Sequence, residues 1–155
     1  MAVNQDFEEF FALLNARKVR YLIVGGVAYN FYAPPRATKD IDVWVEPDVE
    51  NVERLLLALA DFGFPTEDLD ADVLATTSKV LMLGRAPNRI DILSRPKGVD
   101  WAAAWNGRAQ GRYGNTPIAI LGLDELIRSK QAAARPRDLA DAETLQEIRR
   151  RGRKG

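Results

Sequence analysis

The sequence predicts an α/β (α+β) fold, in which helices flank a mixed β-sheet and two further helices follow at the C-terminal end. Three observations support this prediction: helical and strand patterns alternate along the 155 residues, the apolar strand segments are short, and glycine or proline separates many of them. A chain of this length is typical of one domain with a substantial core. We expect a single domain over residues 1–148, followed by a basic, disordered tail at 149–155.

Helices are predicted where apolar residues recur along one helical face. In the first helix, Phe7, Phe10, Phe11 and Leu14 lie at positions i, i+3, i+4 and i+7. A pair of prolines ends the second helix, because proline lacks the N–H group that a helix needs. The predicted helices are residues 5–16, 27–33, 48–61, 100–105, 123–134 and 137–150. Residues 66–78 are assigned to a short helix and a loop.

Strands are predicted where short apolar or alternating segments are bounded by glycine, proline or polar residues. In the clearest of them, Ile41, Val43 and Val45 alternate with Asp40 and Asp42. The predicted strands are residues 20–24, 39–46, 79–83, 89–93 and 117–121. The third and fourth are expected to form a hairpin, and the glycine-rich stretch that ends at residue 115 is expected to be a polar connection.

The composition excludes several kinds of chemistry. The chain has no cysteine and no histidine, so it has no disulfide framework, no cysteine nucleophile, no Ser-His-Asp triad and none of the usual zinc ligand sets. Any metal must be held by oxygen ligands, which favour Mg²⁺ or Mn²⁺. With no apolar run of about 20 residues and no signal-peptide pattern, we expect a cytoplasmic protein without a membrane partner.

The net charge of zero is unevenly distributed. Residues 149–155 carry five positive charges, and the other 148 residues carry 17 basic and 22 acidic groups, a net charge of −5. An acidic body with a basic end is not typical of a dedicated nucleic-acid-binding protein. The tail is expected to be solvated and disordered, although contact with RNA stays open as an alternative.

Three aspartates are the candidate metal ligands. Asp40 and Asp42 lie on one face of a predicted strand, where residues i and i+2 point to the same side. Asp91 has the same setting in its own strand, between Ile90 and Ile92. If the two strands are neighbours, the three carboxylates form the ligand set of a two-metal site, with ions roughly 3.5–4 Å apart.

The glycine pair Gly25-Gly26, between a strand and a helix, is a candidate phosphate-binding turn, because its backbone N–H groups can approach a phosphate closely. A simple tight turn is the alternative. Lys130 ends the inward stripe of its helix, where it either faces the same centre or extends to solvent. Asp138 and Asp141 are assigned to the start of the last helix or to ion pairs with Arg135 and Arg137.

Together these motifs resemble the nucleotidyltransferase superfamily of the DNA polymerase β type. The resemblance is carried by the sequences Val24-Gly25-Gly26, Asp40-Ile41-Asp42-Val43 and Ile90-Asp91-Ile92. Within the superfamily, residues 35–42 and two segments between 126 and 141 resemble the small bacterial branch related to AbiEii toxins and antibiotic-modifying transferases. The resemblance covers most of residues 20–145.

The resemblance implies a nucleoside triphosphate donor whose phosphates are held by Gly25 and Gly26. Asp40 and Asp42 would bind Mg²⁺ (or Mn²⁺), and Asp91 would complete the site as a ligand or as the general base. Many family members have serine in place of Gly26.

Arg36, Thr38 and Lys39 precede the aspartates and are candidate contacts to phosphate or base, with ordinary loop and strand roles as the alternative. Lys130 is a candidate triphosphate contact. The acceptor, an RNA, protein or small-molecule hydroxyl, is left open.

The sequence therefore supports two functional hypotheses. In the first, the protein is an active, magnesium-dependent nucleotidyltransferase, with an antitoxin or a second copy of itself as partner; the toxin of a toxin–antitoxin pair is one such role. In the second, it is a non-catalytic or partner-dependent nucleotide- or protein-binding module with the same fold. A degenerate enzyme is expected to lose one of the acids, and this chain keeps Asp40, Asp42 and Asp91, which favours activity.

Overall fold

The computed structural model describes residues 4–38, 40–76, 81–84, 89–93 and 98–154. Along these residues the helices and strands follow the predicted order apart from one additional strand, Ala109–Tyr113, and the helices pack against a mixed sheet. The helices are α1 (Gln5–Ala16), α2 (Gly25–Tyr32), α3 (Val49–Phe62), α4 (Ala71–Thr76), α5 (Trp101–Asn106), α6 (Leu123–Ala133) and α7 (Pro136–Lys154). The strands are β1 (Tyr21–Val24), β2 (Asp40–Val45), β3 (Leu81–Leu83), β4 (Arg89–Leu93), β5 (Ala109–Tyr113) and β6 (Thr116–Ile120).

The six strands form one sheet in the order β3-β4-β2-β1-β6-β5. β2 runs parallel to β4, β1 runs parallel to β6, and the other neighbouring pairs are antiparallel. All four residues of β1 are buried, which fits its position inside the sheet, where both faces are covered. The mixed sheet confirms the predicted fold class, and the antiparallel β3–β4 pair confirms the predicted hairpin.

The core lies between the sheet and the helices that pack on it. α1 packs against α3 and β6, α2 packs against β1, β2 and α6, and α6 packs against α7. The α1 stripe of Phe7, Phe10, Phe11 and Leu14 is buried as its spacing predicts. Among the described residues, no helix combines the length and the apolar composition needed to cross a membrane.

A buried asparagine ties the first two strands to α3. The Asn51 side chain is fully buried; it accepts a hydrogen bond from the Arg20 N–H at 2.8 Å and donates to the carbonyl oxygens of Arg20 and Glu46 at 3.0 and 3.1 Å. Asp48 begins the same helix, because its carboxylate accepts from the Asn51 N–H at 3.2 Å. These bonds fix where β1 starts and where β2 ends.

Two sequence predictions need correction. β5 was expected to be a polar connection, and it is instead the edge strand that pairs with β6; only one side of an edge strand needs a partner, so polar residues are tolerated there.

The segment from residue 149 was expected to be disordered, yet α7 continues without a break to Lys154. Glu147 pairs with Arg150 and Arg151, and Arg149 pairs with Asp124 on α6, so acidic partners offset the basic run. The single-domain limit at residue 148 stays a prediction.

Candidate active site

A polar cleft of about 540 Å³ opens where β1 ends and α2 begins. It is lined by residues from the α2 start, the loop after α2, β2, α6 and the start of α7. The lining residues are Gly25, Gly26, Arg36, Ala37, Thr38, Asp40, Asp42, Lys130, Arg135, Arg137 and Asp138. The cleft thus contains most of the residues that the sequence selects as site candidates, together with Arg135 and Arg137, two cations at the junction of α6 and α7 that it does not select.

The three candidate aspartates lie on adjacent parallel strands. In the register of β2 and β4, Asp40 is opposite Arg89 and Asp42 is opposite Asp91. Asp40 and Asp42 line the cleft and are half-buried, whereas Asp91 is buried with 8% of its surface exposed. The condition set by the sequence, that the two strands are neighbours, is therefore met.

Arg89 lies between two of these carboxylates. Its Nη2 donates to Asp40 Oδ2 at 2.9 Å and to Asp91 Oδ2 at 3.1 Å, and its Nε is 3.0 Å from Asp91 Oδ1. The last approach is an ion pair without hydrogen-bond geometry, so Arg89 Nε and Asp91 Oδ1 are both buried without a hydrogen-bond partner among the described residues. Arg89 lies two residues before Asp91, and this spacing predicts that both side chains lie on the same face of β4.

Burial and neighbouring charge both act on Asp42. Burial, followed by the charges of Asp91 and Asp40, raises the pKa of the Asp42 carboxyl to about 6, although Arg89 and Lys130 oppose the rise. An acid whose charged form is disfavoured in this way gains from a cation placed beside it. The electrostatics at Asp42 thus favour the binding of a metal ion.

The donor set has the chemistry of a site for a hard divalent cation, since it offers carboxylate oxygens alone and Asp91 Oδ1 has no hydrogen bond to lose. Within the part of the chain that the structure describes, however, no three acidic side chains converge closely enough to enclose a metal ion. The Arg89 guanidinium lies between Asp40 and Asp91, because its Nη2 donates to a carboxylate oxygen of each. The residue types thus suit Mg²⁺ or Mn²⁺, while Arg89 occupies oxygens of two of the three acids.

The glycine pair lies at the first turn of α2, with no side-chain cap, rather than in a turn before it. Gly25 has φ +66°, and Val24 directly precedes it opposite Asp42 in the β1–β2 register. A Cβ at Gly25 would overlap with Asp42 Oδ2 and lie 2.9 Å from Asp42 Cγ. The backbone at Gly25 therefore lies directly beside the Asp42 carboxylate, at the N-terminal, positive end of the α2 dipole.

Gly25→Ala is expected to destabilise the protein by about 2 kcal/mol and to lower its activity more than 10-fold, because alanine strains the positive-φ backbone and displaces the Asp42 carboxylate. Gly63→Ala is the matched control: Gly63 also has positive φ, but a Cβ there meets nothing within 4 Å. Urea denaturation and a nucleotide-transfer assay check the pair. If both variants lose activity equally, the contact between Gly25 and Asp42 does not matter for function.

Thr38 and Gly26 lie against each other. The Thr38 hydroxyl donates to the Asp40 carbonyl at 3.2 Å, and a Cβ at Gly26 would be 2.7 Å from Thr38 Oγ1. In this chain the serine that many family members carry at position 26 would therefore collide with Thr38. Lys39, the neighbouring candidate, lies outside the described residues, so its phosphate-binding role stays a prediction.

Arg36 reaches across the cleft to α7. Its Nη1 and Nη2 donate to the two carboxylate oxygens of Asp141, each at 2.8 Å, and its guanidinium lies 4.0 Å from the centre of the Tyr29 ring. Asn30 fixes its backbone, accepting from the Arg36 N–H at 3.0 Å and donating to the Arg36 carbonyl at 2.8 Å. The guanidinium is thus held in a defined position at the cleft.

Lys130 lies in the cleft, as its place on the inward stripe predicts, and its side chain is 14% exposed. Its Nζ is 2.8 Å from Asp141 Oδ2 and 3.7 Å from Asp138 Oδ1. Asp138 also pairs with Arg135 at 2.6 Å, as expected from the sequence. Asp141 was assigned either to the start of the last helix or to an ion pair with Arg135 or Arg137. Both alternatives need correction, because Asp141 lies beyond the first turn of α7 and its partners are Arg36 and Lys130.

The two buried aspartates of α7 could have been located from their spacing. Asp138, Asp141, Ala142 and Leu145 lie at i, i+3, i+4 and i+7, and all four are buried. They therefore occupy the inward stripe of α7, as Lys130 does on α6. Arg36 and Lys130 hold the pKa of Asp141 down to about 2, against the effect of burial.

Comparisons with known proteins agree with this geometry at the level of the fold. No protein-family model and no curated protein matches the chain. Among solved structures, the lincosamide antibiotic adenylyltransferase LnuA, with lincomycin bound, aligns over 95% of this chain and 98% of its own, with a TM-score of 0.60 and 14% identity. The antibiotic-resistance factor ANT(2'')-Ia aligns over 97% of this chain and 90% of its own, with a TM-score of 0.55 and 14% identity.

A third structure, an antigenic nucleotidyltransferase-like protein from Paracoccidioides brasiliensis, aligns over 92% of this chain and 75% of its own, with a TM-score of 0.53 and 14% identity. All three alignments cover more than nine-tenths of this chain. At this level of identity they establish the fold and leave the roles of individual residues as predictions. The chain therefore has the nucleotidyltransferase fold that its motifs predict.

Proposed function

We propose that the protein is a metal-dependent nucleotidyltransferase, which moves a nucleoside monophosphate from a nucleoside triphosphate to a hydroxyl acceptor. The observation that carries this proposal is the placement of Asp42 opposite Asp91 on adjacent parallel strands, beside a cleft that Asp40 and Asp42 share with four cationic side chains, Arg36, Lys130, Arg135 and Arg137. Acids for a metal and cations for phosphates thus meet in one cleft.

The cations and the glycine turn bind the triphosphate. Gly25 and Gly26 line the cleft at the start of α2, where the helix dipole favours a phosphate. Arg36 and Lys130 are held at the same cleft by Asp141 and supply positive charge to the donor. This preorganised charge stabilises the additional negative charge that develops during transfer.

Asp40, Asp42 and Asp91 would hold Mg²⁺ or Mn²⁺. When bound, the metal polarises the α-phosphoryl group and neutralises charge on the triphosphate. The acceptor oxygen forms a bond to the α-phosphorus, the bond from that phosphorus to the bridging oxygen breaks, and pyrophosphate leaves with the bonding electrons. Asp91 serves as a ligand or takes the hydroxyl proton as general base.

The acceptor is proposed as RNA, a protein side chain or a small hydroxylated molecule. Of the solved structures that share the fold, one is described as a lincosamide antibiotic adenylyltransferase and another as an antibiotic-resistance factor, which supports the small-molecule class. A toxin role with an antitoxin partner, and a homodimer that completes the acceptor surface, belong to the same proposal.

Incubation with each α-³²P-labelled nucleoside triphosphate, Mg²⁺ and a cell lysate tests the reaction. Label is expected in RNA, in protein or in a small molecule, and its location identifies the acceptor class. The control is the Asp40→Ala, Asp42→Ala double variant, which is expected to transfer no label and to lose calorimetrically measured ATP–Mg²⁺ binding. Absence of label with folded wild-type protein would favour the non-catalytic binding module, and normal ATP–Mg²⁺ binding by the double variant would contradict this placement of the site.

A further inference from the structure

The side chain that lies among the proposed metal ligands is itself a cation. Arg89 is opposite Asp40 in the β2–β4 register and two residues before Asp91 on β4. Its Nη2 is shared between Asp40 Oδ2 at 2.9 Å and Asp91 Oδ2 at 3.1 Å, and its Nε lies 3.0 Å from Asp91 Oδ1. A single guanidinium therefore contacts three carboxylate oxygens from two strands.

Those oxygens are the atoms that a metal ion needs. A divalent cation bound by Asp40 and Asp91 would lie where the guanidinium lies, and the two positive groups would repel each other at that distance. Arginine cannot relieve the repulsion by losing its proton, because its guanidinium stays charged in proteins. Metal binding by all three acids therefore requires Arg89 to leave.

Arg89 is held in a way that allows it to leave. Its side chain is 38% exposed, so it has a route to solvent without disturbing the core. Its Nε and Asp91 Oδ1 are buried without hydrogen bonds among the described residues, which leaves this contact less favourable than a fully hydrogen-bonded arginine–carboxylate pair. Displacement of the side chain sacrifices two hydrogen bonds and frees an unsatisfied acceptor.

We propose that Arg89 is an internal counter-cation, which neutralises Asp40 and Asp91 in the metal-free protein and is displaced when the metal binds. This inference rests on the proposed function, because it assigns the metal to these carboxylates. It makes Arg89 a positioning residue: the side chain keeps like charges together while the site is empty of substrate, and it sets the affinity for metal by competing for the same oxygens.

The first test measures Mn²⁺ binding without nucleotide, from the paramagnetic resonance signal of free Mn²⁺, together with the melting temperature with and without Mn²⁺. Arg89→Gln is expected to bind Mn²⁺ about 10-fold more tightly than the wild type and to gain more thermal stability from it. Arg89→Lys keeps the charge and is expected to bind Mn²⁺ about as the wild type does. Arg17→Gln removes a similar arginine–aspartate pair, with Asp61, outside the cleft, and is expected to match the wild type.

The second test uses the wild-type protein, so it does not depend on whether a variant folds. The ¹H–¹⁵N signal of the Arg89 Nε–H, assigned by its absence in Arg89→Lys, is expected to shift and to exchange faster with solvent as Mg²⁺ is added. An Nε–H signal that Mg²⁺ leaves unchanged, while Mg²⁺ binds, would overturn the displacement.

The outcomes separate this inference from the proposed function. Equal Mn²⁺ affinity in the wild type and in Arg89→Gln would overturn the role of Arg89 alone and leave the metal site in place. Weaker Mn²⁺ binding by Arg89→Gln would show that Arg89 supports the site and does not compete with the metal. If Mn²⁺ binds to none of the variants, the metal assignment of the proposed function fails together with the inference.

Discussion

Asp42→Asn is expected to lower nucleotide transfer about 1,000-fold and, at the same time, to raise the free energy of unfolding at pH 7 by about 2 kcal/mol. The loss of activity follows from the loss of a charged ligand at the centre of the site. The gain in stability follows because Asp42 is mostly buried beside Asp91 and Asp40, which leaves its charged form disfavoured in the folded protein.

The sign of the pH dependence follows from the raised pKa. The Asp42 carboxyl has a pKa of about 6 in the folded protein, against 3.8 as the ordinary value. Between these two pH values the folded state binds more protons than the unfolded state, so stability falls as the pH rises through this window. The stability advantage of Asp42→Asn is therefore expected to appear between about pH 4 and pH 6 and to stay constant above it.

Urea denaturation of both proteins at several pH values between 4 and 8 measures this difference. Asp61→Asn provides the opposite control: Arg17 lowers the pKa of Asp61 through a side-chain hydrogen bond, so its removal is expected to give no gain in stability and no change in activity. Lower stability of Asp42→Asn at pH 7, or a difference from the wild type that does not vary with pH, would contradict the electrostatic description of the site.

Asp141→Asn is expected to destabilise the protein by about 2 kcal/mol and to raise the KM for the triphosphate about 10-fold. Asp141 is buried and accepts hydrogen bonds from Nη1 and Nη2 of Arg36 and from Nζ of Lys130. Asparagine removes the charge that holds both cations, and they lose their defined positions at the cleft. The loss of stability is moderate because solvent screens the pair: the Arg36 side chain is about one-third exposed.

The wild type is expected to lose the contribution of Asp141 at acidic pH. Because hydrogen bonds from Arg36 hold its pKa near 2, the stabilisation is present above about pH 4 and is lost as the pH falls toward 2. Glu147→Gln is the control on the same helix, since the Glu147 side chain is 46% exposed and pairs only with arginines of α7 in the described structure; little change is expected there. Tighter triphosphate binding by Asp141→Asn would mean that Asp141 restrains the cations and does not position them.

The strand faces on which the three candidate acids lie could be predicted from the sequence alone. Strand residues alternate between two faces, so the positions of Asp40, Asp42 and Asp91 among apolar neighbours were enough to place each on one side of its strand. The helical stripe placed Lys130 toward the interior in the same way. The polar edge strand β5 was not predicted, because its alternating small and polar residues lack the apolar pattern that indicates a strand.

The sequence alone therefore predicts the face of its strand or helix on which each residue lies, because the periods of strands and helices are properties of neighbouring residues along the chain. Which faces contact one another depends on the tertiary structure. The parallel pairing of β2 with β4, the insertion of Arg89 between Asp40 and Asp91, and the contact of Asp141 with Arg36 all join segments far apart in the chain. Such contacts depend on which strands pair and on how helices pack, and the periodicity of a single segment determines neither. The face of β4 on which Arg89 lies could be predicted from its spacing to Asp91, whereas its position between Asp40 and Asp91 depends on the pairing of β2 with β4.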